Sequence, residues 1–261
     1  KERVYVDDYS SVPDGASLSE GPEGGLYYET EEVEEFQEEQ QERTNAILEE
    51  NNFTEEQISR AQELQDDYDT AKDDIFGSIM DTAVQAGAEL TGGAYRVKGV
   101  GSMLRKAHVR DNEYDSVEDL NDVFGCMVKP ESAEGINSTA ESLKEQYGEE
   151  NIVKEENYME EPQGGYYRAR HLVVETDDGH KAEIQIKSPE LSDVASVGHA
   201  LVYKNEEAED APDVDEDTQE DVRDCLTQLS GVIVGERPDE PDCTEEATSL
   251  INQMADKVQV A

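Results

Sequence analysis

Between Leu172 and Ile186 apolar and polar residues alternate on either side of "TDDGH", and that alternation dictates a β-hairpin. A three-residue Asp177-Asp178-Gly179 loop, with Gly179 in the left-handed region, is a common hairpin connection and pairs Thr176 with His180. The register then sets His171 opposite Gln185, Leu172 opposite Ile184, Val173 opposite Glu183 and Val174 opposite Ala182. Because side chains alternate along a strand, Leu172, Val174, Ala182, Ile184 and Ile186 share one face. Tyr167, His171, Glu183, Gln185 and Lys187 share the other. A slip of one residue would destroy this sorting. The first face is core; the second reads as the floor of a site.

That second face is unexpected in this chain. It carries 66 acidic against 21 basic residues, a net charge of -45 over 261 residues. A merely solvated face should be mostly Asp and Glu. So large a negative charge disfavours sequence-independent nucleic-acid binding and docking on anionic membranes. It fits a halophilic protein, in which concentrated salt screens the self-repulsion. No apolar run approaches the roughly 18 residues of a membrane span. Cys126, Cys225 and Cys243 show no metal-ligand spacing, and neither a metal site built on them nor a disulfide framework is expected.

A second cluster points the same way. From Leu90 to Arg110 there is no Asp or Glu, but there are Arg96, Lys98, Arg105, Lys106 and Arg110. Arg96 and Lys98 fall on one face of a strand, and Ser102 and Lys106 lie one turn apart on the helix that "GVGS" begins. Cations beside a helix start suit a phosphate. Asp122, at the head of the "VFGCMV" strand, is placed to hold Mg²⁺ beside such phosphates, and Gly125 reads as a point of close backbone approach. With Glu183 it supplies two carboxylates of the kind phosphoryl-transfer sites use.

Elsewhere, "TEEQ" at Thr54–Gln57 is a capping box opening a helical pattern that ends near Gly92-Gly93. Strands are expected near 95–100, 123–128, 151–154, 166–175 and 181–187. Helices are expected near 102–110, 132–147, 189–206, 217–233 and 244–258. The fold class is α+β: a small mixed sheet flanked by helices, with long helical extensions at both ends. Residues 1–53 read as an extended arm with little core followed by a solvated acidic helix or linker, 54–206 as the main domain, and 207–261 as an acidic loop and terminal helices.

In their order, "RVKGVGSMLRK", "DLNDVFGCMV", "GYYRARH", "EIQIKS" and "HALVYK" resemble the motif series of the RelA/SpoT nucleotidyltransferase domain, over about residues 54–206. The resemblance implies a pyrophosphotransferase that moves the β,γ-pyrophosphate of ATP to a ribose 3′-hydroxyl of a guanine or adenine nucleotide, with Mg²⁺ as cofactor. By position it implies ATP-phosphate binding by Arg96, Lys98, Ser102 and Lys106, and Mg²⁺ at Asp122 and Glu183. Glu183 would bind Mg²⁺ or activate the hydroxyl, supported by Gln185, and Tyr167, His171, Gln185 and Lys187 would hold the acceptor. His199 and Lys204 match the later helix. No His-Asp dipeptide occurs, which implies a synthetase without the family's hydrolase. The family pattern is broken at Met127, Gln163 and Ala169, where Arg, Lys and Ser are usual, and Lys187 replaces an Arg. Those departures point to an alternative, a decayed fold acting as a structural protein. Residues 4–30 resemble minor head proteins of tailed viruses of halophiles, implying viral head or portal partners and a place in a virion or in a halophile's cytoplasm.

Overall fold

The structure, a computed structural model, describes residues 2–6, 8–22, 25–85, 88, 90–110, 114–203, 214–237 and 241–260. The chain opens with three short strands, β1 (Arg3–Tyr5), β2 (Ser17–Glu20) and β3 (Leu26–Glu29). Helices α1 (Thr30–Glu50) and α2 (Glu55–Gln85) follow. Then come β4 (Leu90–Val97), α3 (Val100–Arg105) running into a π-helical turn at Lys106–Arg110, β5 (Phe124–Pro130) and α4 (Ala133–Tyr147). The remaining elements are β6 (Ile152–Asn157), β7 (Arg170–Glu175), β8 (Lys181–Ile186), α5 (Pro189–Gly198), α6 (Glu216–Ile233) and α7 (Glu245–Val260). Lys204 lies outside the described residues, as does most of the acidic 207–217 segment.

The eight strands of the described residues form one mixed sheet, ordered β1-β3-β2-β4-β5-β8-β7-β6. The α+β expectation holds. So does the hairpin, with His171 opposite Gln185, Leu172 opposite Ile184, Val173 opposite Glu183 and Val174 opposite Ala182. Gly179 takes φ +85°, as the turn requires. Leu172, Val174, Ala182, Ile184 and Ile186 are all fully buried, packed with Ile79, Leu104 and Phe124 in the main core. Helix α2 starts at the expected capping box, Thr54 Oγ1 accepting from the Gln57 amide at 3.2 Å.

Three expectations are corrected. The first thirty residues are not an arm without a core. Strand β2 pairs with β4, and Val12, Ala16, Leu18 and Leu26 are buried in the main core. Nor is the acidic segment merely solvated: it is α1, seated by Val33 and Ile47 and by Thr44, whose Cα would lie 2.8 Å from a Cβ at Gly101. Gly92-Gly93 is not a helix terminator. Helix α2 stops at Gln85, and both glycines sit within β4, where a Cβ at Gly92 would meet the Leu18 carbonyl oxygen at 2.5 Å.

A further correction concerns the cysteines. Cys225 and Cys243 form a disulfide across 18 residues, tying α6 to the segment before α7. The two helices pack with Val194, Val197 and Leu201 into a second, smaller core. Their spacing matches no local motif, because the bond joins neighbours created by helix packing. Closing so short a loop stabilises by about 3 kcal/mol in the chain-entropy account. Adding dithiothreitol, or making Cys243→Ser, is therefore expected to lower the denaturant midpoint of α6 and α7. An unchanged midpoint in both would show the bond to be energetically idle.

The second core also clamps the segment before β7. Arg168 is buried and makes a bidentate pair with Glu236, and its Nη1 also donates to the Met159 carbonyl at 2.8 Å. Arg170, equally buried, is held by Asn137, Glu141 and Glu155. Both arginines are engaged in these pairs; the bases on the polar face are His171, Lys181 and Lys187.

Candidate active site

Strands β5 and β8 run parallel, with Gly125 beside Glu183 and Met127 beside Gln185. Asp122 lies just ahead of β5. Both carboxylates thus come to the same end of neighbouring strands.

Two adjoining cavities open on this end. The larger, about 540 Å³, is lined by Arg96 near the end of β4 and Lys98 just after it, Ser102, Arg105 and Lys106 from α3 and the turn after it, Asp122, and His199. Its opposite wall is α1, through Phe36, Glu39, Gln40 and Arg43. The smaller, about 320 Å³, is lined by Glu183, Gln185, Gly125, Met127 and the backbone around Gly15, and it shares Phe36, Arg96 and Asp122 with the first. A Cβ built on Gly125 would meet no heavy atom within 4 Å, and its φ is ordinary. The expectation of close backbone approach there is wrong: Gly125 faces open space in the cleft.

Charge is unevenly satisfied. Lys98 Nζ and Lys106 Nζ both donate to Asp122 Oδ2 at 2.7 Å. Burial pushes the Asp122 carboxyl up, but the two ammoniums outweigh it and leave the group below the usual carboxylate range. Burial pulls Lys98 below the usual lysine range despite Asp122. Asp122 Oδ1 is buried and accepts no hydrogen bond. Arg43, Arg96 and Arg105 make no ion pair or hydrogen bond among the described residues.

The residues expected to hold the acceptor form a chain along the polar face. Gln185 Nε2 donates to Glu183 Oε2 at 3.3 Å, and Lys187 Nζ donates to Gln185 Oε1 at 3.3 Å. Lys187 lies 5.4 Å from the Tyr167 ring centre, and Tyr167 Oη is hydrogen-bonded to His171 Nε2 at 2.6 Å. Tyr158, missed in the sequence, stands edge-on to both rings at 5.7 and 5.2 Å. Burial pushes Lys187 down to about 8, with Lys129 adding to the effect. Burial and Lys187 lower His171 to about 4, so it is neutral at neutral pH. Tyr167 sits ahead of β7, not in it, on a bridge in which Gln163 and Tyr167 exchange backbone hydrogen bonds at 3.1 Å.

All four expected phosphate ligands therefore meet Asp122 in one cavity, and Glu183 and Gln185 line the next. Tyr167, His171 and Lys187 lie further along the same face rather than in either cavity lining. Sequence reasoning also missed Phe36 and Arg43, whose acidic helix hides a single stripe that faces inward.

Comparison with known proteins bears on the same span. Residues 95–208 match the family model described as the region found in RelA/SpoT proteins. The GTP pyrophosphokinase YjbM of Bacillus subtilis (strain 168) is 30% identical over 116 residues, 42% of this chain and 54% of that protein. The chain thus spans about half the length of the curated relative it matches. Among solved structures, a GTP pyrophosphokinase family protein from Streptococcus pneumoniae superposes with a TM-score of 0.49 at 21% identity, over 76% of this chain and 94% of that one. The small alarmone synthetase 1 from Bacillus subtilis, bound to its product pppGpp, does so with a TM-score of 0.39 at 23% identity, over 64% and 77%.

Proposed function

We propose that this chain transfers the β,γ-pyrophosphate of ATP to the 3′-hydroxyl of a nucleotide acceptor, a guanine nucleotide first and an adenine nucleotide second. One observation carries the reading. In a chain of net charge -45, Arg43, Arg96 and Arg105, unpaired among the described residues, converge with Lys98 and Lys106 on one cavity. Such a cluster recognises a polyphosphate. The family match over 95–208 and the GTP pyrophosphokinase relative support the reaction class.

In this reading Arg96, Lys98, Ser102 and Lys106 hold the ATP phosphates. Glu183 takes the proton of the acceptor hydroxyl while Gln185 orients it. The 3′-oxygen forms a bond to the β-phosphorus, the bond from that phosphorus to the α,β-bridging oxygen breaks, and AMP leaves. Tyr167 stacks on the acceptor base, and His171 and Lys187 meet its phosphates. Mg²⁺ suits the donors present: Asp122 offers a buried oxygen without a partner, and Glu183 faces the adjoining cavity. Bound there, Mg²⁺ would neutralise charge on the transferred group.

The test is incubation with Mg²⁺, labelled ATP and GDP, GTP, ADP or bulk tRNA, in molar KCl to screen the self-repulsion. A pyrophosphorylated product with AMP release supports the proposal and names the acceptor. No product from the folded chain rejects it. Met127 favours the second reading, a non-catalytic structural role including one in a viral head. It stands uncharged in the cleft, where its sulfur accepts from Ser192 Oγ at 3.7 Å.

Lys187 adds a pH signature. Its ammonium is charged below about 8 and neutral above, so attraction for acceptor phosphates is present below that pH and lost above it. The kcat/KM profile, which reports the free enzyme, is expected to fall on a basic limb near that value. Lys187→Arg should remove the limb, since a guanidinium stays charged. A limb that persists unchanged in Lys187→Arg assigns the titration to another group.

A further inference from the structure

We infer that α1, outside the span matched by the family model, completes the donor-nucleotide site: Phe36 as the surface against which the donor base lies, with Arg96 lining the same cleft, and Arg43 as an additional phosphate ligand. The inference rests on the reading of ATP as donor.

Phe36 is one of four phenylalanines in the chain. Phe76 and Phe124 are buried in the main core and Phe53 packs against it, whereas Phe36 belongs to neither core. Phe36 lines both cavities instead, and the lining residues common to the two are Phe36, Arg96 and Asp122. The ring is also seated. Gly15, at φ +85°, brings its backbone so close that a Cβ there would lie 2.2 Å from Phe36 Cδ1. An aromatic ring held against the backbone and open to a cleft that also presents a guanidinium suits a purine base.

Arg43 follows from the same helix. Phe36, Gln40 and Arg43 stand at i, i+4 and i+7, one stripe of α1. That stripe is pinned at its middle, where Gln40 Nε2 donates to the Val97 carbonyl at 3.1 Å, and near its end by Ile47, which is 3% exposed. Arg43 is therefore presented by a docked helix, and it makes no ion pair among the described residues. It raises the cavity's cations to five, Arg43, Arg96, Lys98, Arg105 and Lys106, against the carboxylates of Glu39 and Asp122.

Equilibrium binding of ATP and of inorganic tripolyphosphate to the full chain, at one fixed KCl concentration, separates the two roles. Phe36→Leu is expected to weaken ATP about 10-fold and leave tripolyphosphate within about twofold, because stacking acts on the base alone. Phe36→Tyr should restore ATP binding. Arg43→Gln should weaken both ligands about 5-fold alike. The inference fails if Phe36→Leu binds ATP as wild type does, or if it loses both ligands equally, which would mark Phe36 as merely structural. Arg43→Gln without effect on either ligand would remove Arg43 from the site. A wild-type chain that binds neither ligand would bring down the donor reading itself, a result distinct from all of these.

Discussion

Glu183→Gln is expected to reduce pyrophosphate transfer by about 10³-fold while the protein unfolds at nearly the wild-type denaturant concentration. The rate loss is of the size that removing a general base produces. The stability should hold to within about 1 kcal/mol, because the amide keeps the carboxylate's shape and an oxygen for Gln185 Nε2, now 3.3 Å from Glu183 Oε2. Asp122→Asn should be as damaging to the chemistry for a different reason. It removes the charge that Lys98 and Lys106 share and the oxygen that suits Mg²⁺. Product formation measured by chromatography, beside urea unfolding of each variant, checks both halves. A Glu183→Gln protein that turns over at the wild-type rate would exclude Glu183 as the base.

Gly125→Val is the second large effect, and it separates activity from stability in the opposite direction. Neither backbone conformation nor packing asks for glycine here, since φ is ordinary and an added Cβ meets nothing within 4 Å. A valine should suit the strand, and glycine within a strand costs roughly 0.5–1 kcal/mol relative to alanine. The unfolding midpoint should therefore stay or rise. The new methyl groups would stand in the cavity that Asp122 and Glu183 share. Displacing a bound nucleotide by about 1 Å costs on the order of 10²-fold in rate. Gly125→Ala should fall between. Full activity in Gly125→Val would show that substrate does not pass over β5 at this point.

The central hairpin was legible because it is local. Leu172 and Ile184 are twelve residues apart, the turn has its own chemistry, and alternation leaves one register that buries every apolar side chain. The site face followed from it, and the acid-free stretch from Leu90 to Arg110 stood out against so acidic a background. What stayed hidden depends on partners distant in sequence. Strands β1, β2 and β3 have three or four residues each. Ser17-Leu18-Ser19 becomes a strand because it pairs with Gly92–Ala94, over seventy residues on. Phe36 and Arg43 were masked by the glutamates around them, because a narrow inward stripe on an otherwise solvated helix leaves little periodic signal. The disulfide arises from the packing of α6 against the approach to α7, which no local spacing encodes.

The pairing of β5 with β8 is the sheet's one parallel ladder among the described residues, joining Phe124 to Ala182 across some 58 positions. Antiparallel neighbours such as β7 and β8 zip from a tight turn within microseconds, whereas a parallel pair waits until the intervening chain has been ordered and its loop-closure entropy overcome. Asp122 and Glu183 come to line one cavity through that ladder. During synthesis or refolding, the cavity that Asp122 and Glu183 both line is thus complete only after β5 and β8 have paired.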